Sequence, residues 1–183
     1  VSGILEAYAL DPYVTFSPTI KFYTVNGTYT ETIPAGATTL DLEVWGASGF
    51  GGHGNAYAGA QGGGGGSGGY SRSRYTVSSS AGQTFNVTVG VAATSASSVT
   101  NGTFSTSVSM TGPQGGNGTP GGRLSDGLGG AAGATGTGGN VTNLAGNAGD
   151  SGGGLNLSGD GLGGAGVVGL NGTGSPGGFG NYS

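Results

Sequence analysis

Apolar and polar residues alternate along several short stretches of the chain, and the alternation has a period of two. Leu40, Leu42 and Val44 stand between Asp41 and Glu43, the pattern of a strand with one face buried. Phe85, Val87 and Val89 alternate with Thr84, Asn86 and Thr88. Phe104, Thr106, Val108 and Met110 occupy every second position of a third stretch. The segments 22–33 and 70–77 are rich in β-branched and aromatic residues, which also favours strand. Gly27, Pro34-Ala35-Gly36 and Ala81-Gly82 punctuate these stretches as turns. No window sustains an apolar i, i+3, i+4, i+7 pattern without a glycine breaking it. The expected class is all-β, with essentially no α-helix.

A second period overlies the first. Glycines recur at every third position in Gly46, Gly49, Gly52, in Gly59, Gly62, Gly65, Gly68, and in Gly112, Gly115, Gly118, Gly121. They do so again from Gly127 to Gly139, from Gly146 to Gly152, from Gly163 to Gly172, and in Gly174, Gly177, Gly180. Three residues per turn is the period of the polyproline II helix, which rises ~3.1 Å per residue. Only 6 residues are proline, and the phase slips between runs, so a collagen triple helix is not expected. The pattern instead predicts a bundle of polyglycine II helices. Lacking Cβ atoms along one edge, neighbouring runs can meet backbone to backbone. Such a helix makes no internal hydrogen bonds, so its N–H and C=O groups must find partners in adjacent runs. Asp126-Gly-Leu-Gly-Gly-Ala131 recurs as Asp160-Gly-Leu-Gly-Gly-Ala165 and reads as a turn leading into a run.

Composition sharpens this picture. Glycine contributes 48 of 183 residues, against roughly 7% in ordinary proteins. The first alternative, a disordered low-complexity chain, is set aside for part of the chain because β patterns frame the glycines. Cysteine is absent, which removes disulfides, thiol chemistry and Cys-based metal sites. With 4 Lys+Arg and a net charge of −4, nucleic acid is not an expected partner. No run approaches the ~20 apolar residues of a membrane-spanning helix, so no membrane insertion is expected. The sequence shows neither an initiator Met nor a signal-peptide pattern, which suggests a cleaved leader or a processed fragment.

Taken in order, the features resemble the glycine-rich domain of bacteriophage tail-fibre and related virion surface proteins. The resemblance runs from about Phe22 to the C-terminus. It is carried by Pro34-Ala35-Gly36, by the Val44-Trp45-Gly46 exit into glycine, and by Gly82-Gln83-Thr84 leading to Val89-Gly90. The family's small glycine-rich step after that strand is replaced here by Val91-Ala92-Ala93-Thr94. The long three-residue runs also resemble tail-fibre tip adhesins, in which polyglycine helices form a sandwich and connecting loops contact the host surface. The resemblance implies a virion-surface or extracellular location and partners among virion or filament subunits. It further implies a host cell-surface glycan or protein as target. The expected organisation is an N-terminal strand or arm at 1–21, a β-sandwich with inserted glycine-rich loops at 22–111, and a polyglycine II bundle at 112–183.

The candidate chemistry is sparse. Gly64-x-Gly66-x-x-Gly69 matches a dinucleotide fingerprint formally, but it opens no helix. His53 is the sole imidazole, too little for a metal centre without Cys, and no nucleophile elbow accompanies it. Asp126 and Asp160 lack the G-x-D spacing of calcium-binding nonapeptides. We therefore expect no enzyme activity, no metal and no cofactor. Arg72 and Arg74 share a strand face with Tyr70, read as a solvated face with anion binding as the alternative. Asn-x-Ser/Thr occurs at Asn26, Asn86, Asn101, Asn117, Asn140, Asn156, Asn171 and Asn181. These are glycan acceptors in a secretory setting, and turn or strand chemistry otherwise. Aromatic and amide groups on a small-residue scaffold suit sugar rings and protein surfaces. Phe50, His53, Asn55 and Tyr57 are the leading receptor-contact candidates, joined by Arg123, Asn140, Asn143 and Asn156; packing against the strands or a subunit is the plainer alternative for them. Ile4, Leu5, Tyr8 and Leu10 form an apolar stretch suited to an ordinary first strand, or to pairing with a neighbouring subunit.

The expected function is thus a non-enzymatic surface protein, a phage tail-fibre or decoration component that displays loops for host attachment. The rival is a self-assembling subunit of an extracellular glycine-rich filament, its N-terminal arm pairing with the next subunit in a homo-oligomer. An ice-binding role would need regular Thr rows, and the Thr residues keep no single phase within the runs.

Overall fold

A computed structural model describes residues 18–54, 61–122 and 125–152. Among them there is no helix. β1 (Gly27–Thr32), β4 (Thr84–Val89), β5 (Ser97–Asn101) and β6 (Ser109–Gly112) form one antiparallel sheet in the order β1-β4-β5-β6. β2 (Thr39–Trp45), β3 (Tyr70–Thr76) and β7 (Thr142–Leu144) form a second, in the order β2-β3-β7. The all-β class is as the alternation predicts.

The two sheets enclose a small apolar core. Leu42 and Val44 of β2 lie in one buried cluster with Phe85, Val99 and Met110 of the other sheet. Ile33, Val77, Phe104 and Val108 close it from the connections. The expected turns at Pro34-Ala35-Gly36 and Ala81-Gly82 are where the punctuation places them, whereas Gly27 is the first residue of β1, opposite Val89. Gly36 and Gly82 hold φ of 83° and 79°, the left-handed region that glycine enters without a Cβ clash.

Two strands escaped the sequence reading, and a third is shorter than it predicted. Ser97–Asn101 has only Val99 as a buried apolar residue, so it shows no alternation. Thr142–Leu144 is three residues long. The stretch Phe104–Met110 becomes strand only from Ser109. Before that, the Asn101 side chain gathers the chain around itself. Its amide donates to Phe104 O and Thr106 O, both at 2.9 Å, and its Oδ1 accepts the Val108 N–H. Phe104 and Val108 stay buried without being in a strand.

The glycine runs continue the second sheet. Trp45 lies opposite Tyr70 at the end of the β2–β3 pair. Beyond it the same antiparallel register persists, but the bonds now fall at every third residue. Gly46 N–H donates to Gly69 O (2.7 Å), Gly49 to Gly66 (2.9 Å) and Gly52 to Gly63 (2.8 Å). The β3–β7 register also continues, from Tyr70 opposite Leu144 to Ser67 N–H on Asn147 O and Gly64 N–H on Asp150 O.

Five runs make up the lattice among the described residues: 46–54, 61–69, 112–122, 127–136 and 146–152. The second is central. It donates from Gly63, Gly66 and Gly69 to Thr119, Gly116 and Pro113, and its Gln61, Gly64 and Ser67 carbonyls accept from Gly127, Gly130 and Gly133. The outer runs bond to one another in turn. Gly115, Gly118 and Gly121 donate to Ala47, Phe50 and His53; Gly116 and Thr119 to Ala131 and Leu128; and Gly146, Gly149 and Gly152 to Gly133, Gly130 and Gly127. All of Gln61–Tyr70 is buried. These bonds cross the boundary expected at residue 112, since runs on both sides of it belong to one lattice.

The close approach depends on missing side chains. A Cβ on Gly66 would lie 2.0 Å from Ala131 O, and one on Gly49 would lie 1.9 Å from Gly116 O. Ordering a residue's backbone costs about 1–2 kcal/mol, while one backbone hydrogen bond returns about 1 kcal/mol net. The central run offsets this best, because Gly63, Gly64, Gly66, Ser67 and Gly69 each use both N–H and C=O.

Candidate functional site

One end of the lattice is joined to the sandwich, through Trp45, Tyr70, Gly112 and Leu144. The other end gathers the run termini. Gly121 N–H donates to His53 O (2.8 Å), Gly127 N–H to Gln61 O (2.7 Å) and Gly152 N–H to Gly127 O (2.9 Å). Gln61 N–H reaches Asp126 Oδ1 at 3.3 Å, and Gly122 N–H reaches Ser125 O at 2.7 Å. The connections after Gly54, after Gly122 and after Gly152 therefore all start from this distal end. Asp126 stands at the turn into a run, where the repeated motif places it.

Two of the candidates are described near this end. The Phe50 side chain is exposed (58%), while its backbone is held on both sides. Its N–H donates to Asn117 Oδ1 at 2.8 Å, and its C=O accepts from Gly118 at 2.8 Å. His53 is exposed, with its carbonyl fixed by Gly121. Each thus presents an exposed ring from a tied backbone. Asn55, Tyr57, Arg123 and Asn156 lie outside the described residues, as do Ile4, Leu5, Tyr8 and Leu10.

Asn140 and Asn143 lie at the opposite end and are occupied. Asn140 Oδ1 accepts the Arg74 N–H (2.9 Å), and its Nδ2 donates to Arg74 O (3.0 Å). Asn143 Oδ1 accepts from Ser71 Oγ and from Gly139 N–H, and its Nδ2 donates to Gly139 O. Their amides hold the β7 connection against β3. The structure does not bring them to Phe50 and His53.

Other sequence signals also resolve into architecture. The dinucleotide-like glycines Gly64, Gly66 and Gly69 sit in the buried central run with their N–H groups engaged, leaving no cradle for a phosphate. Arg72 and Arg74 face Glu43 and Asp41 across the β2–β3 pair. Arg74 binds both Asp41 oxygens, at 2.8–3.1 Å, and Arg72 Nη2 lies 3.2 Å from Asp41 Oδ1. Arg74, opposed by partial burial and helped by Arg72, holds the Asp41 carboxyl below its ordinary range. The pairing replaces the anion site considered for these arginines. Asn86, Asn101 and Asn117, three of the glycan-acceptor patterns, likewise spend their side chains on internal hydrogen bonds.

The sequence reading missed Asn117 and Leu128. Asn117 bridges to the Phe50 backbone, and Leu128 is exposed (66%) on the fourth run. The Asn-Gly-Thr signal at 117–119 was visible, but as turn chemistry. A cleft of about 510 Å³ lies elsewhere, at the sandwich edge, lined by Tyr23, Leu40, Leu42, Trp45 and Val87 among others. Among the described residues, no group of three or more His, Cys, Asp or Glu is placed to hold a metal ion.

Comparison with known proteins gives one match. The family described as "Glycine-rich domain" matches residues 24–183. Nothing matches among the curated proteins or among the solved structures. The match takes in every strand described and all five runs of the lattice. The chain belongs to the glycine-rich domain family.

Proposed function

We propose that this is a non-enzymatic structural protein of a virion or other extracellular surface, whose glycine runs are polyglycine II helices that hold binding loops rigidly. The observation that carries the reading is the distal clustering of run ends on a backbone-bonded lattice. The three-residue step of the bonds is the period of that helix. Loops anchored at both ends lose less conformational freedom on binding. Phe50 and His53 supply exposed rings beside those ends, and aromatic faces suit sugars and protein surfaces. The target class is a host cell-surface glycan or protein, and the phage tail-fibre resemblance favours a bacterial one.

The test is binding of labelled protein to bacterial cells and immobilised glycans. Phe50→Ala with His53→Ala is expected to lower binding at least about tenfold, about 1.4 kcal/mol, while the unfolding midpoint stays within error. Undiminished binding by the double variant would contradict this site.

The filament reading has one observation of its own. Ile20, Phe22 and Val25 are each more than 60% exposed, next to the segment expected to pair with a neighbouring subunit. Under that reading, removing residues 1–18 abolishes polymers seen by electron microscopy, and a chain that is monomeric at all concentrations contradicts it.

A further inference from the structure

The first and third runs are parallel neighbours. Gly115, Gly118 and Gly121 donate in turn to Ala47, Phe50 and His53, each at 2.8 Å. Glycine rows fill the inner directions of both runs. A Cβ on Gly46 or Gly49 would meet the third run, at Pro113 O and Gly116 O. One on Gly115 or Gly118 would meet the central run, at Gly66 O and Gly63 O, and one on Gly116 would meet Ala131 of the fourth. The remaining row of the third run, Gln114, Asn117 and Pro120, is left to point outward, and all three residues are exposed.

The row Ala47, Phe50, His53 lies beside it, since the Asn117 side chain reaches the Phe50 N–H at 2.8 Å. Together the two rows make a ladder of three rungs: Ala47 beside Gln114, Phe50 beside Asn117, and His53 beside Pro120. Phe50 and His53 are exposed and Ala47 is half-buried. None of the six side chains carries a carboxylate, ammonium or guanidinium. Three residues of a polyglycine II helix rise about 9 Å, which sets the spacing of the two rings along the ladder. A single sugar is smaller than that gap. An extended chain of sugars lying along the run reaches both rings.

We propose that this ladder binds an uncharged linear glycan lying along the first run, stacked on Phe50 and His53 with the Gln114 and Asn117 amides at its side. Ring faces suit the apolar faces of sugars, and amides suit their hydroxyls. An anionic chain would find no ion pair on these six side chains. A protein partner ordinarily covers about 20–30 residues a side, whereas the ladder is a strip only two rows wide. Its rungs are tied by backbone hydrogen bonds, so little freedom is lost on binding. The proposal rests on the surface-attachment reading above and narrows its target from glycan or protein to one class of glycan.

Calorimetry of the full chain tests it, with oligosaccharides cut from cellulose, chitin and amylose, from one sugar unit to six, and hyaluronate oligomers as the anionic comparison. In at least one uncharged series, affinity should step up at least about tenfold once the chain is long enough to span both rings. Phe50→Ala or His53→Ala should remove that step, so that long and short oligomers bind alike. The unfolding midpoint should hold, because both side chains are exposed. Should a variant fail to fold, NMR shift changes at Phe50, His53, Gln114 and Asn117 of the parent chain on adding the longest oligomer decide instead. Absence of binding in every uncharged series, equal affinity at every length, or tighter binding of hyaluronate would overturn the proposal. Cell attachment that needs Phe50 and His53 without any oligosaccharide binding would also overturn it and leave a protein as the target. Attachment indifferent to the double substitution would instead overturn the reading on which the proposal rests.

Discussion

Ala93 holds a φ of 56°, a left-handed conformation that costs an L-residue about 1–2 kcal/mol. It is fixed there because its N–H donates to Ser48 O at 2.9 Å, tying the β4–β5 connection to the first run. Ala93→Gly should raise stability by about 0.5 kcal/mol, the strain relief exceeding the extra entropy of an unfolded glycine. A chemical denaturation midpoint measures it, and a lowered midpoint would contradict the strain. Gly66 and Gly82 make the opposite pair. A Cβ on Gly82 meets nothing within 4 Å but keeps φ at 79°, so Gly82→Ala should cost about 1 kcal/mol. Gly66→Ala drives a methyl into Ala131 O and should cost at least about 3 kcal/mol, the upper range of overpacking. Equal costs at the two sites would refute the close-packed lattice.

At the scale of elements, β2 and β3 are held by side chains as well as by their ladder. Asp41 has its carboxyl lowered chiefly by Arg74. Glu31 is lowered chiefly by Lys21, then by Tyr23. A carboxyl depressed in the folded state adds stability above its unfolded value, about 3.9 for Asp. That stability is lost as pH falls through the folded value. The parent chain should therefore weaken on acidification below about pH 4. Asp41→Asn should flatten that slope without removing it, because Glu31 keeps its share. An unchanged slope in urea melts across that range would contradict the Asp41 assignment. β2 and β4 were legible because their inward and outward residues differ in polarity, and β1 and β3 from their β-branched and aromatic residues. β5 was not, because Ser98 and Thr100 flank its single buried Val99. The end of the Phe104–Met110 pattern was also illegible, since the Asn101 side chain decides where the strand begins. The glycine rows could be read from their period. Which row meets which could not, because a row without side chains carries no code for its neighbour. For the same reason Phe50 was legible as a candidate, while its partner Asn117 was not.

For the whole molecule, the sandwich and the lattice are one body with a shared register, from β2–β3 into the first two runs. A side-chain core stabilises one end and backbone hydrogen bonds the other. The distal end, where Phe50 and His53 stand exposed, is the part free to vary without disturbing either. Asn140→Ala, at the opposite end, should loosen the β7 connection through its lost bonds to Arg74 and leave surface binding unchanged. Lost binding with an intact fold would place the contact surface elsewhere.

The central claim is that the glycine runs form a lattice bonded at every third residue. Residue-resolved amide hydrogen exchange on the first run tests it most directly. Gly46, Gly49 and Gly52 should exchange slowly, while Ala47 and Gly51, without hydrogen-bond partners for their N–H groups among the described residues, exchange fast. Uniformly fast exchange through the run, or an alternation of period two, would contradict the account.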